Sequence, residues 1–163
     1  MQPAENRVEK QVNAYVMNIP TYFIVEDNVF YASILKTKIE NIKEANVEIF
    51  SRAEDCLKEI HKLPKVIFLD HNLPNNKGLD VLKKVKSRFP TIQVVMVSGE
   101  ATVSVAINCL KYGATDYLLK GKDDNHKKLT EVLEDCETLC NRMIANNRKY
   151  GGDARQFLNL LQQ

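Results

Sequence analysis

Five short runs of β-branched and other apolar residues recur along this chain, each followed by a stretch with helical spacing. The strand runs are Thr21–Val25, Val47–Phe50, Val66–Leu69, Ile92–Val97 and Thr115–Leu119. The third and fourth contain the near-continuous apolar segments VIFL and VVMV, the pattern of strands covered on both faces in a parallel sheet. Between the runs, Ala32, Leu35, Ile39 and Ile42 form one helical stripe. Ser51 and Glu54 read as a capping box ahead of a second helix through Cys56, Leu57 and Ile60. Leu79, Leu82, Val85 and Phe89 mark a third helix, ended by Pro90. Val103, Ala106, Ile107 and Leu110 mark a fourth, with Gly113 as its stop. The last stripe runs from about Lys127 to Ile144 through Leu129, Val132, Leu133, Cys136, Leu139, Cys140 and Met143. Strict alternation predicts a doubly wound α/β fold, (βα)5, with a five-stranded parallel sheet and helices on both faces.

A chain of 163 residues suits one domain. Its net charge of +2 comes from 23 basic and 21 acidic residues, too balanced to draw it to nucleic acid or a membrane surface. No stretch reaches the roughly 18 apolar residues of a membrane span, so a cytoplasmic location is expected. Cys56, Cys109, Cys136 and Cys140 fall within the helical patterns, not in a loop-rich disulfide framework. Cys136 and Cys140 share one helix face, but no second pair completes a metal site, and all four read as small apolar side chains.

Open parallel sheets collect functional groups at the carboxyl ends of their strands. Here the first run ends in Glu26-Asp27, the third in Asp70, the fourth in Ser98-Gly99 and the fifth in Lys120. Three carboxylates crowded together repel unless a cation sits among them, and a hard divalent ion such as Mg²⁺ takes oxygen ligands of this kind. Ser98 offers a hydroxyl donor and Lys120 a compact positive charge. A carboxylate nucleophile, a metal and donors for phosphoryl oxygens are what phosphoryl transfer requires. Each residue also has a plainer reading: Glu26, Asp27 and Ser98 as helix caps, Asp70 as a helix-capping or turn residue, Lys120 as a solvated lysine, His71 as a rim residue.

The stretches FIVEDN, VIFLDHNLPNNKG, VVMVSGEA and ATDYLLK, in that order from Pro20 to Ala145, resemble the receiver domains of two-component response regulators, a flavodoxin-like fold. The resemblance implies phosphorylation of Asp70, with Mg²⁺ (or Mn²⁺) held by Glu26, Asp27, Asp70 and the backbone carbonyl of Asn72. It implies that Ser98, Lys120 and the Gly99 backbone stabilise the phosphoryl group, that Ser98 and Tyr117 switch, and that Asn72 and Glu100 tune dephosphorylation. It implies a sensor histidine kinase or histidine phosphotransfer protein as donor. An unknown downstream protein would be the target, with a homodimer through the fourth helix, fifth strand and fifth helix, or through the C-terminal tail, as a further expectation. No direct nucleic-acid partner is expected.

Two departures stand out. Glu26 occupies a position where Asp is commoner, and Gly121 replaces the proline that usually follows the lysine in a cis peptide. A cis bond costs about 0.5–1 kcal/mol before proline and roughly 2.5–4 before other residues, so Lys120–Gly121 is expected to be trans. Competing readings are a receiver-like module that signals without phosphate, a small phosphatase with an aspartate nucleophile, and a flavodoxin-like cofactor binder. The phosphatase would need a cap insertion, and FMN would need a hydroxyl-rich loop where Glu26-Asp27-Asn28 stands. Residues 20–145 are read as the receiver domain, 1–19 as an N-terminal extension with a loose stripe at Val8, Val12, Tyr15 and Val16. Residues 146–163 are read as a C-terminal extension or linker carrying a short amphipathic helix at Phe157, Leu158, Leu160 and Leu161.

Overall fold

The computed structural model describes residues 19–149; the stripes expected at Val8–Val16 and Phe157–Leu161 lie outside them. The elements run β1 (Thr21–Val25), α1 (Val29–Ile42), β2 (Asn46–Phe50), α2 (Ala53–Lys58), a 3₁₀ turn (Ile60–Lys62), and β3 (Val66–Asp70). They continue with α3 (Gly78–Arg88), β4 (Gln93–Ser98), α4 (Val103–Lys111), β5 (Asp116–Leu119) and α5 (His126–Lys149). The five strands form one parallel sheet in the order β2-β1-β3-β4-β5. This is the expected (βα)5 architecture.

Alternation along each strand divides the core in two. Phe23, Val25, Ile67, Leu69, Val94 and Met96 face α2, α3 and α4, meeting Cys56, Leu82, Val85 and Cys109. Tyr22, Ile24, Phe68, Val95, Val97 and Leu118 face α1 and α5, meeting Leu35, Ile39, Leu129 and Leu133. All five residues of β3 are buried, which explains its unbroken apolar run. Because β1 leads outward to β2 on one side and β3 lies on its other side, strand order reverses between them. The carboxyl ends of β1 and β3 therefore flank the crevice where open α/β sheets bind ligands.

Some local expectations need correction. The capping box does not form. The first helical residue of α2 is Ala53 and the cap position is Arg52, without a side-chain bond. Glu54 then stands one position too early to reach back to Ser51, and instead accepts a hydrogen bond from the Asn76 side chain at 2.6 Å. The stripe on α4 also faces the other way. Val103, Ile107 and Leu110 are 73%, 58% and 47% exposed, and Cys109 is the buried residue of that helix. The helix is apolar on more than one side, and the face carrying Val105 and Cys109 packs on the sheet. On α5, Leu139 is exposed, and the helix continues past Ile144 to Lys149. Gly113 does follow the end of α4, with φ +96°, and α3 stops just before Pro90.

Candidate phosphoryl-transfer site

The chain leaves β1 at Val25 and enters α1 at Val29, so Glu26, Asp27 and Asn28 make the turn. Asn28 caps α1, its side chain accepting the Tyr31 N–H at 3.0 Å. Its own N–H donates to the Glu26 carboxylate at 3.1 Å. That bond draws Glu26 inward, where it is 2% exposed, while Asp27 stays exposed. Asp70 closes β3 and is 4% exposed; the Asn72 N–H donates to its carboxylate at 3.3 Å. One carboxylate oxygen from each of Glu26, Asp27 and Asp70 lies within 4.8 Å of the others.

Lys120, just past β5, extends over this cluster. Its Nζ is 2.6 Å from Glu26 Oε2 and 3.3 Å from Asp70 Oδ1. Burial alone would lower the lysine pKa, but hydrogen bonds and charge from Glu26 and Asp70 outweigh it and hold the pKa above its ordinary value. Burial raises the Glu26 carboxyl above its ordinary value, against the hydrogen bond from Lys120 and with the charge of Asp70. One ammonium for three carboxylates leaves the pocket short of positive charge. Three hard oxygen donors at this spacing fit Mg²⁺, and fit a soft or nitrogen-seeking metal poorly.

Ser98 ends β4, fully buried. Its Oγ accepts the Glu100 N–H at 3.1 Å, and its carbonyl accepts the Lys120 N–H at 2.8 Å. Gly99 and Glu100 are exposed beside it, and nothing lies within 4 Å of where a Gly99 Cβ would point. Tyr117 is half-buried; its hydroxyl donates to the Glu100 carbonyl at 3.3 Å. Its ring borders a groove of about 180 Å³ shared with Thr102, Val103, Ala106 and Leu119. The Asn72 side chain is exposed. Around it His71 donates its N–H to Val97 and accepts the Gly78 N–H, both at 2.9 Å. The structure thus brings Glu26, Asp27, Asp70 and Lys120 into one cluster at the sheet edge. Ser98 lies at the end of the adjacent strand, and Tyr117 is tied to the outer loop.

A model of the family described as the response regulator receiver domain matches residues 22–134, well over half of the chain. The chain belongs to that family. Among curated relatives, the regulatory protein LuxO of Vibrio cholerae is 25% identical over 79% of this chain, which spans only 29% of LuxO. The chemotaxis protein CheY of Listeria monocytogenes is 29% identical over 60% of this chain and 82% of its own length. Among solved structures, a CheY-like receiver domain protein from Methanospirillum hungatei JF-1 superposes with TM-score 0.67 at 24% identity, covering 75% of this chain and 97% of its own. Receiver domains are signalling domains that bind Mg²⁺ in an acidic pocket, and this receiver domain carries such a cluster at Glu26, Asp27 and Asp70.

Three residues around this receiver pocket escaped the sequence reading. A Cβ on Gly78 would lie 2.4 Å from the Asp70 carbonyl oxygen and 2.8 Å from His71 Cα, so a glycine there lets α3 start against the loop that follows Asp70. Its place in VIFLDHNLPNNKG was visible, but not the close approach. Tyr31 and Asp124 meet through a 2.7 Å hydrogen bond across 93 residues of sequence, and no local pattern announces such a pair. Among the described residues no peptide bond is cis, as expected for Lys120–Gly121. No helix among them is long and apolar enough to cross a membrane.

Proposed function

We propose that this receiver domain, residues 20–145, takes a phosphoryl group onto Asp70 from a phosphohistidine of a sensor kinase or phosphotransfer protein. The observation that carries the reading is the placement of Asp70. It is a buried carboxylate at the end of the central strand β3, with Lys120 at 3.3 Å and two further carboxylates beside it. In the step, an Asp70 oxygen bonds to phosphorus as the bond from phosphorus to the donor imidazole nitrogen breaks. The product is an acyl phosphate, and the imidazole leaves with the electron pair and takes a proton from solvent. Mg²⁺ held by Glu26, Asp27, Asp70 and the Asn72 carbonyl would neutralise charge on the phosphoryl oxygens.

This chain's own groups do the rest. Lys120 supplies a positive charge at the Asp70 carboxylate. The Ser98 hydroxyl accepts the Glu100 N–H, which leaves its O–H free to donate to a phosphoryl oxygen, and the exposed Gly99 backbone offers an N–H beside it. Drawing Ser98 and Lys120 toward the added negative charge frees space for Tyr117 to leave the Glu100 carbonyl and turn inward. Asn72 and Glu100, exposed at the mouth, set how readily water reaches the acyl phosphate. The exposed Val103, Ile107 and Leu110 of α4 support the α4–β5–α5 face as the docking surface for a downstream protein or a second copy. Residues 1–19 are read as an N-terminal extension and 146–163 as a C-terminal extension or linker.

The test is intact mass after incubation with a small-molecule phosphodonor and Mg²⁺. An adduct of one phosphoryl group is expected, absent from Asp70→Ala and suppressed by chelation. A well-folded protein that forms no adduct would instead be a receiver that signals without phosphate.

A further inference from the structure

Gly121 adopts φ +75°, a left-handed conformation closed to proline, whose ring fixes φ near −65° and removes the N–H. Three residues further on stands the carboxylate of Asp124. Asp124 is 3% exposed, yet it is surrounded by donors. The Tyr31 hydroxyl reaches it at 2.7 Å and the Lys38 ammonium at 3.4 Å. These donors outweigh the effect of burial and hold its pKa below the ordinary aspartate value. A buried carboxylate persists only when satisfied in this way.

Tyr31 looks two ways. Its hydroxyl is fixed by Asp124, and its ring lies 4.8 Å from the Lys120 Nζ, within cation–π range. Asp124 thus reaches the surroundings of Lys120 through the Tyr31 ring beside the ammonium. The loop between is otherwise tied to β5 itself: the Leu119 N–H donates to the Asp123 carboxylate at 3.0 Å, and Asn125 accepts the Lys128 N–H at the start of α5. A lysine side chain has many rotamers and no geometry of its own, so something must aim it.

We propose that Asp124 and Tyr31 are positioning residues that aim the Lys120 ammonium at Asp70. The inference rests on the reading that Lys120 serves the phosphoryl group on Asp70. It predicts that Lys120 loses its orientation when either partner is altered, whether or not the protein is being phosphorylated.

Two readouts separate these possibilities. The first is NMR of the Lys120 CεH₂ group, assigned with Lys120→Arg, in the full chain without phosphodonor. The Tyr31 ring is expected to shift that resonance away from those of solvated lysines. Tyr31→Leu should abolish the shift, and Asp124→Asn and Tyr31→Phe should reduce it. The second is the rate of adduct formation with a small-molecule phosphodonor and Mg²⁺, expected to fall on the order of ten- to a hundredfold in Tyr31→Leu and Asp124→Asn, and less in Tyr31→Phe, which keeps the ring. Folded variants that keep the wild-type lysine shift overturn the proposal, as does a lost shift with an unchanged rate. If the wild type forms no adduct, the phosphoryl-acceptor reading fails, and the lysine resonance alone decides whether Tyr31 and Asp124 aim Lys120.

Discussion

The Lys120 ammonium lies 2.6 Å from a Glu26 carboxylate oxygen that is almost sealed from water. Even with that partner, burial keeps the Glu26 carboxyl above its ordinary value of 4.5, so ionised Glu26 works against the fold. The folded-state pKa is raised, so the stability it contributes is complete below 4.5 and is lost as pH rises through the folded value. Glu26→Gln removes the charge and leaves Lys120 with Asp70 still at 3.3 Å. Urea unfolding at pH 7 in chelator is expected to find the variant more stable than wild type by roughly 0.5–2 kcal/mol. The gap should narrow toward pH 4. Added Mg²⁺ should stabilise the wild type more than the variant, since linkage follows metal affinity. A variant clearly less stable than wild type in chelator would mean that the ion pair outweighs burial.

Gly78 begins α3 with no room for a side chain, its missing Cβ aimed at the Asp70 carbonyl oxygen and the His71 Cα. Alanine is the better helix former by about 1 kcal/mol, so propensity alone says that Gly78→Ala should stabilise. The backbone contact reverses the sign. The expected loss is about 1–3 kcal/mol, the range for overpacking, read as a lower urea midpoint with an unchanged slope. Equal or greater stability would show that the loop after Asp70 yields without cost.

The sheet was legible because its signal is local and periodic: β3 and β4 are buried on both faces and read as unbroken apolar runs. The cluster of Glu26, Asp27, Asp70 and Lys120 was legible because parallel strands deliver their carboxyl ends to one edge, so residues that end predicted strands become neighbours. Where three-dimensional competition decides, the sequence misleads. Glu54 fits a capping box by spacing, yet α2 starts at Ala53 and Asn76 takes its carboxylate. The Gly121–Asn125 loop lacks the proline that would have announced its shape. Its fixed points are Asp123 on the Leu119 N–H and Asp124 on Tyr31, and the second comes from a helix 93 residues away in sequence.

The α4 helix carries the plainest test of how apolar spacing can point the wrong way. Val103, Ile107 and Leu110 were spaced as a core stripe but stand 73%, 58% and 47% exposed, whereas Cys109 is fully buried. Periodicity finds a stripe without saying which side the sheet occupies, and this helix is apolar on both. Ile107→Ser is therefore expected to change unfolding stability by less than about 0.5 kcal/mol, as for surface substitutions elsewhere. Cys109→Ser places a hydroxyl in an apolar site and is expected to cost about 1–3 kcal/mol. Urea denaturation of both variants beside wild type checks the pair. An Ile107→Ser loss of 2 kcal/mol or more, in the range of core truncations, would mean that this side chain is packed, either by the domain or by a second copy. Repeating the measurement across protein concentration separates those two, because only self-association makes stability depend on concentration.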